Sequence, residues 1–169
     1  MKKSKASQTI ITLKEWERRK EFVGFTDEDV QLLMEYNQIA EVHANEVVEK
    51  LYQHFLRFEE TKAFFRDDMT LLRVTDLQKE YFLGLTKGDY GEEYLANRLR
   101  IGILHQQLGL SPCWYMGSYS IYLELVISFV LAAYGSGLEK ARRTLVALVK
   151  IIQLDQELAM TAYLLSPLP

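Results

Sequence analysis

Cysteine is nearly absent from this chain: Cys113 is the only one in 169 residues. That excludes an intrachain disulfide framework and a Cys-rich metal site, and it agrees with a reducing compartment. Histidine is scarce too, with His43, His54 and His105 the whole supply. The net charge is only −3 and the pI is near 5.7, so no global field favours nucleic acid, and no DNA- or RNA-reading motif is present. No stretch has the alternating, β-branched pattern of a sheet, and no flavin or nicotinamide fingerprint occurs. The basic start "MKKSK" is followed by neither a compact apolar run nor a small-residue cleavage site. A secretory signal is therefore not expected, and a cytoplasmic location is.

What is present is helical periodicity in a chain that is 49% apolar and 25% charged, enough for one domain with a substantial core. Residues 1–24 read as an N-terminal extension, loosely docked over 1–13, with "TLKEWERRKEF" forming a short amphipathic helix whose Leu13, Trp16 and Phe22 share a side. Residues 25–165 read as the domain proper, and 166–169 as a tail or the start of a linker. Thr26 caps a helix with Asp27 and Asp29 at its positive end and Phe25 as a staple. The apolar pattern then runs through Val30, Leu33, Val42, Val47, Leu51, Tyr52 and Phe55 without Pro or Gly, and its length of about 30 residues predicts two helices with a bend near Ala40 to Ala44. Further helices are expected over Met69–Thr86, Gly91–Leu108, Pro112–Tyr134 and Leu138–Leu165, separated by "KGDYG", "LGLSP" and "GSG".

The segment Pro112–Tyr134 has one formal charge, Glu124, yet contains three serines. A span needs roughly 20 consecutive apolar residues, so this reads instead as a helix buried against other helices and against another chain. Leu125, Phe129, Leu145, Leu148, Ile152 and Leu158 give the last two helices more apolar surface than a small domain needs, and pairing of two copies through a helix bundle is expected.

His105 raises a chemical question, since it sits among Ile101, Leu104 and Leu108 near a helix end. An imidazole in apolar surroundings needs a partner. A backbone carbonyl would satisfy it, and so would a metal. A lone histidine does not make a structural zinc site, which takes about four protein ligands. Haem is admissible, because the porphyrin supplies the other nitrogens. His43 and His54 carry no such setting and read as surface or peripheral residues.

The stretch "RIGILHQQLGLSPCWYMGSY" resembles the proximal region of the globin-coupled sensor family, which includes the haem-based aerotaxis transducers and their protoglobin relatives. Arg100, Ile101, His105, Gly109, Leu110, Pro112, Trp114, Tyr115 and Gly117 carry the likeness, and helix order and spacing extend it from about Phe25 to Leu158. The resemblance implies an all-α, globin-like fold with an extra N-terminal helix and a long C-terminal helix pair forming a dimer bundle. It implies haem b (iron protoporphyrin IX) on His105 as the proximal iron ligand, with Tyr52 as the distal hydrogen-bond donor. Leu77 falls by ungapped spacing where the family has a threonine or an apolar residue over the iron, and a two-residue shift would place Thr75 there. Tyr115 corresponds to a tyrosine beside the ligating histidine. Phe55, Val74 and Leu104, with Phe64, Phe65, Met116 and Tyr119, become expected wall residues, and Arg98 and Arg100 could reach the propionate rim.

The function so implied is a haem-based O2 sensor, with CO and NO as competing ligands, that passes its ligation state through the dimer interface to an output domain. Family outputs such as a chemotaxis module, a diguanylate cyclase or a histidine kinase are not in this sequence, so the chain itself is not expected to be an enzyme. Two other readings stand beside it: a stand-alone protoglobin-like globin handling NO or redox chemistry, and a haem-free helical dimerisation module.

Overall fold

The computed structural model describes residues 11–165, so the expectations for the first ten residues and for the tail at 166–169 lie outside the described residues. Among the described residues there are seven helices and no strand: α1 (Leu13–Phe22), α2 (Asp27–Phe55), α3 (Glu59–Lys62), α4 (Asp68–Gly84), α5 (Glu92–Gln107), α6 (Pro112–Tyr134) and α7 (Leu138–Leu165). The expected all-helical fold is present.

Each helix start has a local cause. Thr12 Oγ1 accepts from Glu15 N at 3.2 Å to open α1. Thr26 and Asp29 form a reciprocal capping box on α2, and Asp67 accepts from Thr70 N at 2.7 Å to open α4. Ser111 caps α6, with Pro112 in the first turn where its missing N–H costs nothing. At the end of α5, Gly109 takes φ +76°, Leu110 N donates to His105 O at 3.1 Å and Gly109 N to Gln106 O at 3.0 Å. This is a Schellman closure. It fixes the backbone of His105.

Several expectations need correction. Ile11 and Trp16 are fully buried, with Trp16 Nε1 donating to Tyr90 O at 2.7 Å, so residues 11–16 are docked rather than loose. Phe22 points to solvent, and Phe25 packs edge-on against Tyr90. The helix α2 runs unbroken through Ala40 and Ala44, both fully buried: the lapse in large apolar residues marks a close approach through small side chains, not a bend, and alanine favours the helix it sits in. Val42 is exposed. The turn α3, held by Thr61 Oγ1 on Phe55 O at 2.5 Å, had no periodic signal. In the last two helices, Leu148, Ile152 and Leu158 are buried within their own chain, so half of the stripe expected to face a second copy belongs to the core.

The core is built by α7, against which α5, α6 and α2 all pack, while α4 rests on α2 and α1 on α5. By length and composition α6 could cross a membrane, and its Tyr115, Tyr119, Tyr122, Val126 and Val130 side chains are buried in the fold. The tightest approach to backbone is at Gly102, where an added Cβ would lie 2.8 Å from Ala159 Cα and 2.9 Å from both Ala159 O and the Ala162 Cβ. Two of those atoms belong to backbone and cannot yield. Gly102→Val should push α5 off α7 and lower stability by about 1–3 kcal/mol, the usual cost of overpacking. A urea midpoint equal to that of the native chain would show that the helices are not in this close contact.

Candidate functional site

His105 lies in the last turn of α5, and its Nδ1 is 2.8 Å from Ile101 O. A carbonyl can only accept, so Nδ1 carries the hydrogen and the lone pair is left on Nε2. The ring stands 5.0 Å from that of Tyr115, in the first turns of α6. Burial lowers the His105 pKa from its ordinary 6.5, against the opposing pull of the Ile101 bond, which keeps the imidazole neutral. A neutral imidazole with one nitrogen tied to a carbonyl and the other holding a lone pair is the form that binds a metal. Among the described residues no cluster of three or more His, Cys, Asp or Glu could hold a metal ion.

Apolar side chains stand uncovered at the end of α5 and, separately, along α4. Leu104 and Leu108 on α5 are 49% and 57% exposed, and Leu72 and Leu77 on α4 are 59% and 55% exposed. Only Phe82 is buried on the whole of α4. The two helices touch where Arg98 Nη2 donates to Tyr81 O at 3.3 Å, with no packing between them comparable to that of α4 on α2 or α5 on α7.

The α2 side gathers a second set of predicted residues. Tyr52 is buried against Phe55 and Phe65, with ring centroids 5.6 and 5.2 Å away, and its hydroxyl makes a long bond of 3.2 Å to Val74 O. Burial pushes its pKa up to about 12, so it remains a proton donor. Thr75 commits its hydroxyl to Leu72 O at 2.6 Å, which withdraws it as a donor to a ligand, whereas Leu77 shares a helical face with Val74 and Tyr81. The structure thus joins Tyr52, Phe55 and Val74 in one group and His105 with Tyr115 in another. Leu77 and Leu104 stand exposed on the helices that carry these groups.

Arg98 is not available to a rim. It is 4% exposed, and its Nε lies 3.0 Å from Asp155 Oδ2 in a charge contact rather than an aligned hydrogen bond. Arg100 is exposed. His43 stacks on Phe129 at 4.3 Å, and His54 lies tilted over Phe58 beside an apolar cavity of 260 Å³ lined also by Phe55, Trp114 and Ile121. Cys113 is an exposed thiol.

Asp155 was not legible as a site residue. The signal was a carboxylate on the face of α7 that also carries Ile151, Ile152, Leu158 and Ala159, matched by an arginine between Leu95 and Leu99 on α5. A buried charge calls for a partner.

The neutral His105 couples stability to pH. The unfolded chain takes up a proton near pH 6.5 and the folded chain resists it, so the stability is whole above 6.5 and falls as pH drops through that value towards the lower folded pKa. In ligand-free chain, urea midpoints at pH 7.5 and 5.5 should differ more for the native sequence than for His105→Gln. Equal differences would mean that His105 is not held neutral.

Known proteins share this sequence and this geometry. The protoglobin family matches residues 12–167. The heme-based aerotactic transducer HemAT of Halobacterium salinarum is 34% identical over 155 residues, covering 86% of this chain and 32% of that protein, so the chain spans about a third of that relative's length. The globin domain of the Geobacter sulfurreducens globin-coupled sensor superposes with a TM-score of 0.82 at 24% identity, over 87% of this chain and 96% of that one. With helix order, globin-like architecture and a sequence match across nearly all of its length, the chain belongs to the protoglobin family.

Proposed function

We propose that this chain is a haem-based gas sensor domain that binds O2 reversibly on haem b and passes the ligation state on, through paired copies, to an output domain; its role is regulatory, in the cytoplasm. The observation that carries this reading is the His105 imidazole, fixed by Ile101 O with its Nε2 lone pair available on a helix end whose Leu104 and Leu108 stand uncovered. The fit is chemical: one neutral nitrogen donor with apolar walls suits a group that brings its own four nitrogens. Bound there, haem supplies a ferrous iron that takes up a diatomic gas reversibly.

The chain's own residues do the rest. His105 would hold the iron through Nε2, and Leu72, Leu77, Leu104 and Leu108 would supply apolar side chains that exclude water. On the α2 side Tyr52, whose hydroxyl makes only a long bond to Val74 O, would supply a hydrogen-bond donor for developing negative charge in a dry site. Because Leu110 N is bonded to His105 O and Ser111 caps α6, a displacement of the imidazole would reach the start of α6 within six residues. Exposed Ile127 and Leu131 on α6, with Val146 and Val149 on α7, offer the face for a second copy, so that ligation biases two arrangements of the paired helices. The names of the relatives, an aerotactic transducer and a globin-coupled sensor, support a signalling use over a purely redox one.

The purified chain, reduced and then exposed to oxygen, should show a haem Soret band that is lost in His105→Ala. Tyr52→Phe should keep the band and release oxygen about 10-fold faster, the equivalent of one hydrogen bond of about 1.4 kcal/mol. No haem band after reconstitution with excess haem would leave a helical interaction module as the answer.

A further inference from the structure

The phenols beside the proximal imidazole form a chain, and an acid at its far end fixes the direction of every hydrogen bond in it. Asp155 on α7 is 2% exposed; burial raises its pKa, the Arg98 guanidinium beside it opposes that shift, and the ionised carboxylate of this pair can only accept. Tyr94 donates to its Oδ1 at 2.5 Å and Tyr81 to its Oδ2 at 2.8 Å. Arg98 lies over both of those rings, at 4.1 Å from Tyr81 and 4.5 Å from Tyr94, and supplies the charge that balances the carboxylate. A phenol has one proton. Tyr81 gives its proton to Asp155, so at 2.9 Å it must accept from Tyr119; Tyr119 is then committed, so at 3.0 Å it must accept from Tyr115. Burial first, and then the negative Asp155 or a neighbouring phenol, raises the pKa of each of these tyrosines, so every member keeps the proton the chain requires. The chain crosses from α7 through α4 to α6, and it ends on the ring that faces His105.

We propose that Asp155 is a positioning residue for His105: through Tyr81 and Tyr119 it holds the hydroxyl proton of Tyr115 away from the imidazole. With Nδ1–H on Ile101 O, the only acceptor on that ring is Nε2. The Tyr115 and His105 ring centroids are 5.0 Å apart, so the direction in which the Tyr115 O–H dipole points bears on the environment of the lone pair that the ligating role needs. The inference rests on the proposed function in taking Nε2 as the ligating atom, whereas the direction of the chain rests on the carboxylate alone. The orientation of the histidine environment is thus set from a helix that does not carry the histidine.

Two variants separate this from packing, since each removes one donor to the same carboxylate and leaves the Arg98 pair intact. Tyr81→Phe cuts the chain, and Tyr94→Phe does not. In folded chain, checked by its helical circular dichroism, with ¹³Cζ-labelled Tyr115 and ¹⁵N-labelled His105, NMR should show both resonances displaced in Tyr81→Phe and unmoved in Tyr94→Phe. Asp155→Asn, whose amide can donate to Tyr81, should displace them in the same direction as Tyr81→Phe. Equal displacement in the two tyrosine variants, displacement in Tyr94→Phe alone, or none in Tyr81→Phe would overturn the proposal. The readout is taken with and without added haem. Failure to bind haem would therefore refute the proposed function, and the resonances of the haem-free chain would still decide the direction of the hydrogen bonds.

Discussion

The approach of α5 to α7 governs the rest of the molecule. Where Gly102 meets Ala159 and Ala162, the two helices come within a distance that no side chain at 102 would allow. That contact sets the height of α5 over the core. It brings Arg98 onto Asp155, one turn N-terminal of the crossing, and leaves His105 in the last turn free of the interface, with its apolar neighbours uncovered. A helix held so firmly along one stretch and left open along the next can be rigid as a scaffold and still receptive at its end.

The polar interior follows from the same contact. Removing a guanidinium and a carboxylate from water costs several kcal/mol each, and their attraction offsets this only when further hydrogen bonds complete the site. Tyr81 and Tyr94 complete it on the carboxylate side, and their rings cover the guanidinium. An apolar pair of similar volume would be no less stable by that reasoning. What an acceptor-only group supplies instead is direction, imposed on hydroxyls that would otherwise rotate freely, and direction is what a ligating imidazole beside them requires.

Much of this architecture was legible in the sequence because it is written locally. Thr26 with Asp29, Pro112 after Ser111, and the glycines at 109 and 135 mark helix ends by chemistry that acts over three or four residues. His105 stood out as an imidazole among aliphatics, and the motif around it led to the right family. The features that stayed hidden are those decided between distant segments. Ala40 and Ala44 looked like a lapse in the pattern because the neighbour that fills the space is on another helix. Arg98 was read as able to reach the propionate rim because its partner is 57 positions away in sequence, at 155. Half of the apolar surplus on the last two helices looked like an interface because a stripe does not say whether its own chain or another covers it. The bond that Thr75 makes back to Leu72 O is likewise announced by no pattern in the sequence.

Everything proposed for the site comes down to the imidazole of His105 being set in advance, tautomer and orientation together, to hold a metal through Nε2. A crystal structure of the reduced chain grown with haem would decide it. We expect an imidazole bound through Nε2, with Nδ1–H still on the Ile101 carbonyl at about the 2.8 Å seen here and α5 unmoved against α7. A group held through Nδ1, through a turned ring that has left Ile101, or through a different side chain would contradict it.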